Sequence, residues 1–243
     1  MRGLLVRVGI DSSDEGRWNA PVDSTTCSFA YVPIAETKTV RQGFERRYDE
    51  LEPALRIFDQ PLPAHLGGRR MHLDPDFDTL TYGDQGSRAD QIQRKLSPGD
   101  LLVFYAGLRD VHKNPRLVYA IIGFYVIDAI LPATSIPQTR WHENAHTRRV
   151  LPPDANDVIV RARKGASGRL EQCLPIGSFR VPAGHPHKRP SYRVEQNVLA
   201  AWGGLSVADG WLQRSARLLE FLDTEEFYRW FRSRKVRLVN RNN

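Results

Sequence analysis

The 243-residue sequence predicts an α+β protein with a mixed, partly closed β-sheet and helices gathered towards the C-terminus. Three observations carry that reading. Two long apolar, strand-favouring runs, residues 101–108 and 117–127, lie close together across a polar connection at 109–116. Shorter strand-like segments bounded by glycine, proline and polar residues flank them. Beyond Val194, apolar residues recur at helical spacing, as Val194, Val198 and Leu199 and then Phe227, Trp230 and Phe231. No boundary stands out as a linker, the one candidate being the proline-rich gap near residues 131–153, so one domain over residues 1–243 is expected.

In chain order, residues 3–10 predict a first strand that ends in the polar loop 11–16. There Asp11 can orient a substrate hydroxyl or amine, and Ser12 and Ser13 can hold a phosphate; the alternative is a turn that satisfies only its own backbone. Residues 27–34 predict a half-buried strand. Leu51, Leu55 and Phe58 share a helical face, and Pro61 and Pro63 stop that helix.

The sharpest polar signal is residues 72–84. His72, Asp74, Asp76 and Asp78 stand two apart, so an extended chain would project all four to one face. Such a row offers oxygen ligands to a divalent metal, or a general base beside a carboxylate that orients it. An Asp-Pro-Asp sequence is also an ordinary turn former. Asp84, after Gly83, marks a second bend able to converge on the same pocket. Residues 87–90 resemble a capping box and open a helix to Leu96. Its Ala89, Ile92 and Leu96 face the core, and Arg88, Arg94 and Lys95 form a solvated face.

The two apolar runs lack polar alternation, which implies burial on both faces and makes them the central antiparallel pair. Tyr105 and Gly107 lie where the first run leaves the core. An aromatic ring there can stack on a base while glycine admits a close backbone, although core packing explains Tyr105 equally well. After the pair, His142, Glu143 and His146 satisfy the spacing of a zinc-protease helix, but the prolines at 137, 152 and 153 leave too little room for the long amphipathic helix that chemistry needs. Asn144 and His146 read instead as contacts to a base edge or phosphate. Residues 157–162 predict a strand. The basic glycine turn 164–169 lacks the P-loop pattern, yet Arg169 can touch a phosphate. Helices are expected over 194–202, 206–221 and 223–232. The terminal basic cluster, with Arg234, Lys235 and Arg237, is the clearest candidate surface for nucleic acid.

Composition narrows the class. Hydrophobic residues make up 41% and charged residues 26%, as in ordinary globular proteins. No apolar run approaches the roughly 20 residues of a membrane span, and the N-terminal apolar stretch is too short for a signal peptide, so a cytoplasmic protein without membrane partners is expected. Cys27 and Cys173 stand in no metal-ligand spacing; a thiolate zinc site is excluded and a disulfide framework is not expected. The net charge of +7 comes from an arginine-weighted excess, which suits phosphate recognition but also follows from a GC-rich genome.

The order of these motifs resembles the nucleotide modification associated domain 3 (Nmad3) family. The residues that carry the resemblance are Val8-Gly9-Ile10-Asp11, Ala20-Pro21-Val22, the 29–34 segment, His72 to Asp84, residues 99–108 and 121–126. The resemblance implies association with enzymes that modify DNA bases, and with it other base-modification proteins as partners. It also favours substrate contact at Asn144 and His146. A shorter stretch around Gly99 to Gly107 is similar to PUA-like domains such as EVE and YTH modules, small barrels that hold a modified or flipped base.

Two functions follow. The first is an enzyme acting on a nucleotide or base, with His72 as acid or base, Asp74 and Asp84 orienting or activating, and Asp11, Ser12, Asp76, Tyr105, Gly107, Asn144 and His146 at the substrate. The second is a non-catalytic reader of modified bases in DNA or RNA. The cofactor is unknown, and no metal ligand is assigned.

Overall fold

The computed structural model describes residues 1–12, 18–112, 116–212 and 216–243. Its strands are β1 (Gly3–Arg7), β2 (Pro21–Val22), β3 (Ile34–Ala35), β4 (Met71–His72), β5 (Thr81–Asp84), β6 (Leu101–Asp110), β7 (Leu117–Pro132), β8 (Val158–Ala162), β9 (Gly168–Pro175), β10 (Gly177–Arg180), β11 (Ser191–Val194), β12 (Leu219–Glu220) and β13 (Leu238–Val239). The helices are α1 (Glu52–Arg56), α2 (Gly86–Lys95), α3 (Ala145–Arg148), α4 (Gln196–Ala201) and α5 (Thr224–Ser233).

The central pair is as the apolar runs predict: β6 and β7 are antiparallel, with a bulge beside Phe104 and Tyr105. The main sheet runs β12-β1-β6-β7-β8-β5. It is mixed, because β1 and β2 lie parallel to β6 while the other ladders are antiparallel. The end strands β12 and β5 do not pair among the described residues, so the sheet is open and the partly closed, barrel-like arrangement is not seen.

Alternation along β1 and β6 divides the interior. Leu4, Val6, Leu102, Phe104 and Ala106 enter one core, which Ala89 and Ile92 of α2 cover. Leu5, Leu101, Val103 and Tyr105 enter the other, beneath α5. Successive side chains on a strand point to opposite faces, so a run with no polar alternation is buried on both sides.

In α5, Phe227, Trp230 and Phe231 recur at three and four residues and meet Trp202 and Phe124. Burying each such ring stabilises by about 1.5–3 kcal/mol. Asp223 caps the helix by accepting the Glu226 N–H at 2.9 Å.

Several expected elements differ. Residues 27–34 form only a bridge at Phe29 and the end strand β3, since Cys27 takes a left-handed φ of 59°. The helix expected over 206–221 is irregular chain ending in β12, because Asp209 and Gly210 adopt φ of 51° and 63°; residues 213–215 of that stretch lie outside the described ones. The α2 helix starts at Gly86 without a side-chain cap, and the Ser87 hydroxyl donates instead to the Ala216 carbonyl at 3.3 Å. Cys27 and Cys173, far apart in sequence, meet: the Cys173 N–H donates to the Cys27 carbonyl at 2.8 Å, and both thiols are free. No helix of the described residues is long and apolar enough to cross a membrane.

Candidate functional site

The site lies where the ends of β1, β4 and β5 meet α3, around a pocket of about 430 Å³. Its floor is polar: His72, Asp74, Asp84 and His146, all buried. Each is held from behind. The Asp74 carboxylate accepts the Gly83 N–H at 2.9 and 3.1 Å and Asn144 Nδ2 at 2.9 Å. His146 Nδ1 lies 2.5 Å from Asp157, and His72 Nδ1 lies 2.7 Å from Glu36. Arg149 grips Glu36 with two nitrogens, each at 3.0 Å.

A carboxylate can only accept, so each Nδ1 carries the proton and each Nε2 turns to Asp74 with its lone pair exposed. Burial pushes both imidazoles down, His146 to about 4, which leaves them neutral near pH 7. Burial acts in the opposite sense on Glu36 and Asp157. There the hydrogen bonds from His72 and Arg149, and from His146, outweigh it and hold both carboxylates below the usual range. Asp74 is pushed well above that range, burial being the largest cause.

The two Nε2 atoms lie 3.9 Å (His72) and 3.7 Å (His146) from Asp74 Oδ2. The rings stand edge to face with centroids 4.9 Å apart. Among the described residues, these three are the one group of histidine, cysteine or acidic side chains with ligand atoms mutually within 4.8 Å. The walls carry Arg7, Arg88, Arg149 and Arg217. Arg88 pairs with Asp84 at 3.0 Å and Arg7 with Asp11 at 2.7 Å.

The structure thus brings together His72, Asp74, Asp84 and His146, with Tyr105 buried along the wall. Asn144 is fully buried behind the pocket and spends its amide on Asp74, so it positions that carboxylate. The expected acidic row breaks at a tight turn in which Asp76 and Thr81 exchange backbone hydrogen bonds. Asp76 points away into an ion pair with buried Arg148 at 2.6 Å, and Asp78 accepts the Asn242 N–H at 2.9 Å. Asp11 is buried against Arg7, and Ser12 is exposed; Ser13 falls outside the described residues. Gly107 lies off the pocket, where its carbonyl accepts Asn19 Nδ2 at 2.8 Å.

Arg88, read from the sequence as part of a solvated face, is half-buried in the pocket wall. Arg169 is buried over the Phe29 ring and donates to the Arg241 carbonyl, which withdraws it from a surface phosphate contact. Arg234, Lys235 and Arg237 are exposed, Arg237 beside Glu171 at 3.3 Å. His142 is exposed, and an extended Asn144 separates it from the α3 turn that bears His146, so the two histidines share no helix. Sequence reading missed Glu36, Arg149 and Asp157 as site residues. Their role appears only through their partners, and no local spacing marks them.

A family model described as nucleotide modification associated domain 3 matches residues 2–224. The chain belongs to the Nmad3 family. The match spans every strand except β13, and every residue of the pocket floor. No curated protein and no solved structure matches the chain. A nucleotide-modification context is therefore the functional information that Nmad3 membership supplies.

Proposed function

We propose that this Nmad3 protein binds a nucleotide or nucleic-acid base in the pocket and acts on it chemically. One observation carries the reading: two neutral, carboxylate-anchored imidazoles and a buried carboxylate converge on a cavity ringed by arginines. About 430 Å³ falls within the usual range for small-molecule sites. Guanidinium groups suit phosphate, through paired and directional donors. Asp84, His72 and His146 supply groups able to move a proton at a bound base, and Tyr105 closes the wall beside them. A protein that only reads bases has no need of two neutral imidazoles facing one carboxylate.

The test is a screen of free nucleotides and of modified DNA for thermal stabilisation, followed by product analysis. A ligand at 100 times its dissociation constant adds about 2.7 kcal/mol. An enzyme with His72→Gln keeps nucleotide affinity and loses turnover. A reader gives no product, and the same change alters binding alone. The proposal fails if no nucleotide or nucleic acid stabilises the protein, or if stabilisation is unchanged by Arg88→Ala.

A further inference from the structure

We propose that His72, Asp74 and His146 form a binding site for a divalent first-row transition-metal ion, of the Zn²⁺ or Fe²⁺ kind. The inference shares the pocket of the proposed function but does not depend on any nucleotide; with the ion held by both histidines, Asp84 is the group left to move a proton in that reading.

The argument starts from what the three side chains present to one another. Nδ1 of each histidine is occupied by a carboxylate, Glu36 at 2.7 Å and Asp157 at 2.5 Å. Each Nε2 therefore offers a lone pair towards the pocket. Asp74 Oδ2, which faces both, takes only the longer arm of the Gly83 N–H at 3.1 Å, while Oδ1 is held by Asn144 and by Gly83, each at 2.9 Å. The separations of 3.9 and 3.7 Å are too long for hydrogen bonds. Two imidazole lone pairs and a carboxyl oxygen thus converge on one point of the pocket floor. A divalent cation satisfies such a set of nitrogen and oxygen ligands.

Geometry agrees. Metal–ligand bonds of about 2.0–2.2 Å place neighbouring ligand atoms roughly 3–3.5 Å apart. The three ligand atoms lie within 4.8 Å of one another, so closing on an ion takes a movement of about an ångström. Two nitrogens and one oxygen suit zinc, iron and their neighbours better than Mg²⁺ or Ca²⁺, which favour all-oxygen sites. Both histidines already carry the carboxylate partner that orients metal-bound imidazoles and raises their basicity. The three ligands also sit on the pocket floor, leaving the cavity side open for water or substrate. The signal is split in sequence: His72 and Asp74 stand two apart, and His146 arrives from α3.

The test uses the full chain, stripped with a chelator and titrated with Co²⁺ and Zn²⁺ without any nucleotide. One ion per chain and visible Co²⁺ absorption are expected. His72→Ala and His146→Ala should each abolish the absorption. Glu36→Gln and Asp157→Asn, which leave all three ligands in place, should weaken binding about 10- to 100-fold, with circular dichroism confirming that each variant folds. Substoichiometric metal in the wild type, or an undiminished signal in folded His146→Ala, would overturn the site. Because metal is read directly, this can fail while nucleotide binding holds, and the reverse.

Discussion

The His146 ring fills the space that a side chain on Gly83 would need. A β-carbon at that position would fall inside contact distance of the ring and 2.7 Å from Asn144 Oδ1. Since the Gly83 N–H also holds Asp74, this glycine sets the packing of both residues. Gly83→Ala is therefore expected to cost about 1–3 kcal/mol by overpacking. Chemical denaturation checks the stability. The accompanying loss of pocket ligand binding should exceed that of a core change of equal cost elsewhere.

Arg148 and Asp76 form a buried pair at 2.6 Å behind the site. Arg148→Ala leaves a buried carboxylate whose remaining help comes from Asn242 and the Asp78 N–H. The expected loss is about 3–5 kcal/mol. Arg229→Ala, which breaks an exposed pair with Glu226, should cost less than about 1 kcal/mol. Urea denaturation of the two variants side by side decides the contrast.

Phe227 is fully buried between Trp202, Phe221 and Phe231. Phe227→Ala should remove about 3–5 kcal/mol. Phe227 is not among the residues that line the pocket, so the folded fraction should bind its ligands with little change, which titration at low temperature measures.

Cys27 titrates unusually low. The hydrogen bond with Cys173 lowers its thiol to about 6, against burial and the Asp23 charge. The thiolate is the nucleophile, so alkylation of Cys27 should rise with pH and level off above about pH 7. Cys173→Ala removes the lowering partner and should move that plateau upward, towards the ordinary thiol value of about 8.5. A mass-spectrometric alkylation rate series from pH 5 to 9 (roughly the span around both values) reads this, and an unmoved plateau would count against it.

Legibility followed the range of the forces. The β6–β7 pair and α5 were readable because burial on both faces, or on one helical stripe, leaves a local periodic mark. The irregular 206–221 segment reads as a helix because its buried Leu212 and Leu219 stand seven apart, while Asp209 and Gly210 turn the backbone to positive φ. Half of the acidic row was legible: His72 and Asp74 face the pocket, whereas the turn closed by Thr81 sends Asp76 to Arg148. The carboxylates behind the histidines, Glu36 and Asp157, come from segments with no motif of their own. Only tertiary proximity reveals them.

The pocket floor draws on Glu36, His72 with Asp74, Gly83, Asn144 with His146, and Asp157, brought together from well-separated stretches of chain. No fragment lacking any one of these stretches can carry the floor. Cutting between Asp84 and Asn144 would leave two pieces that recover it only by reassociating. The intact constellation is thereby a built-in gauge of completed folding, reading zero for a truncated or half-assembled chain however much helix and sheet that chain retains.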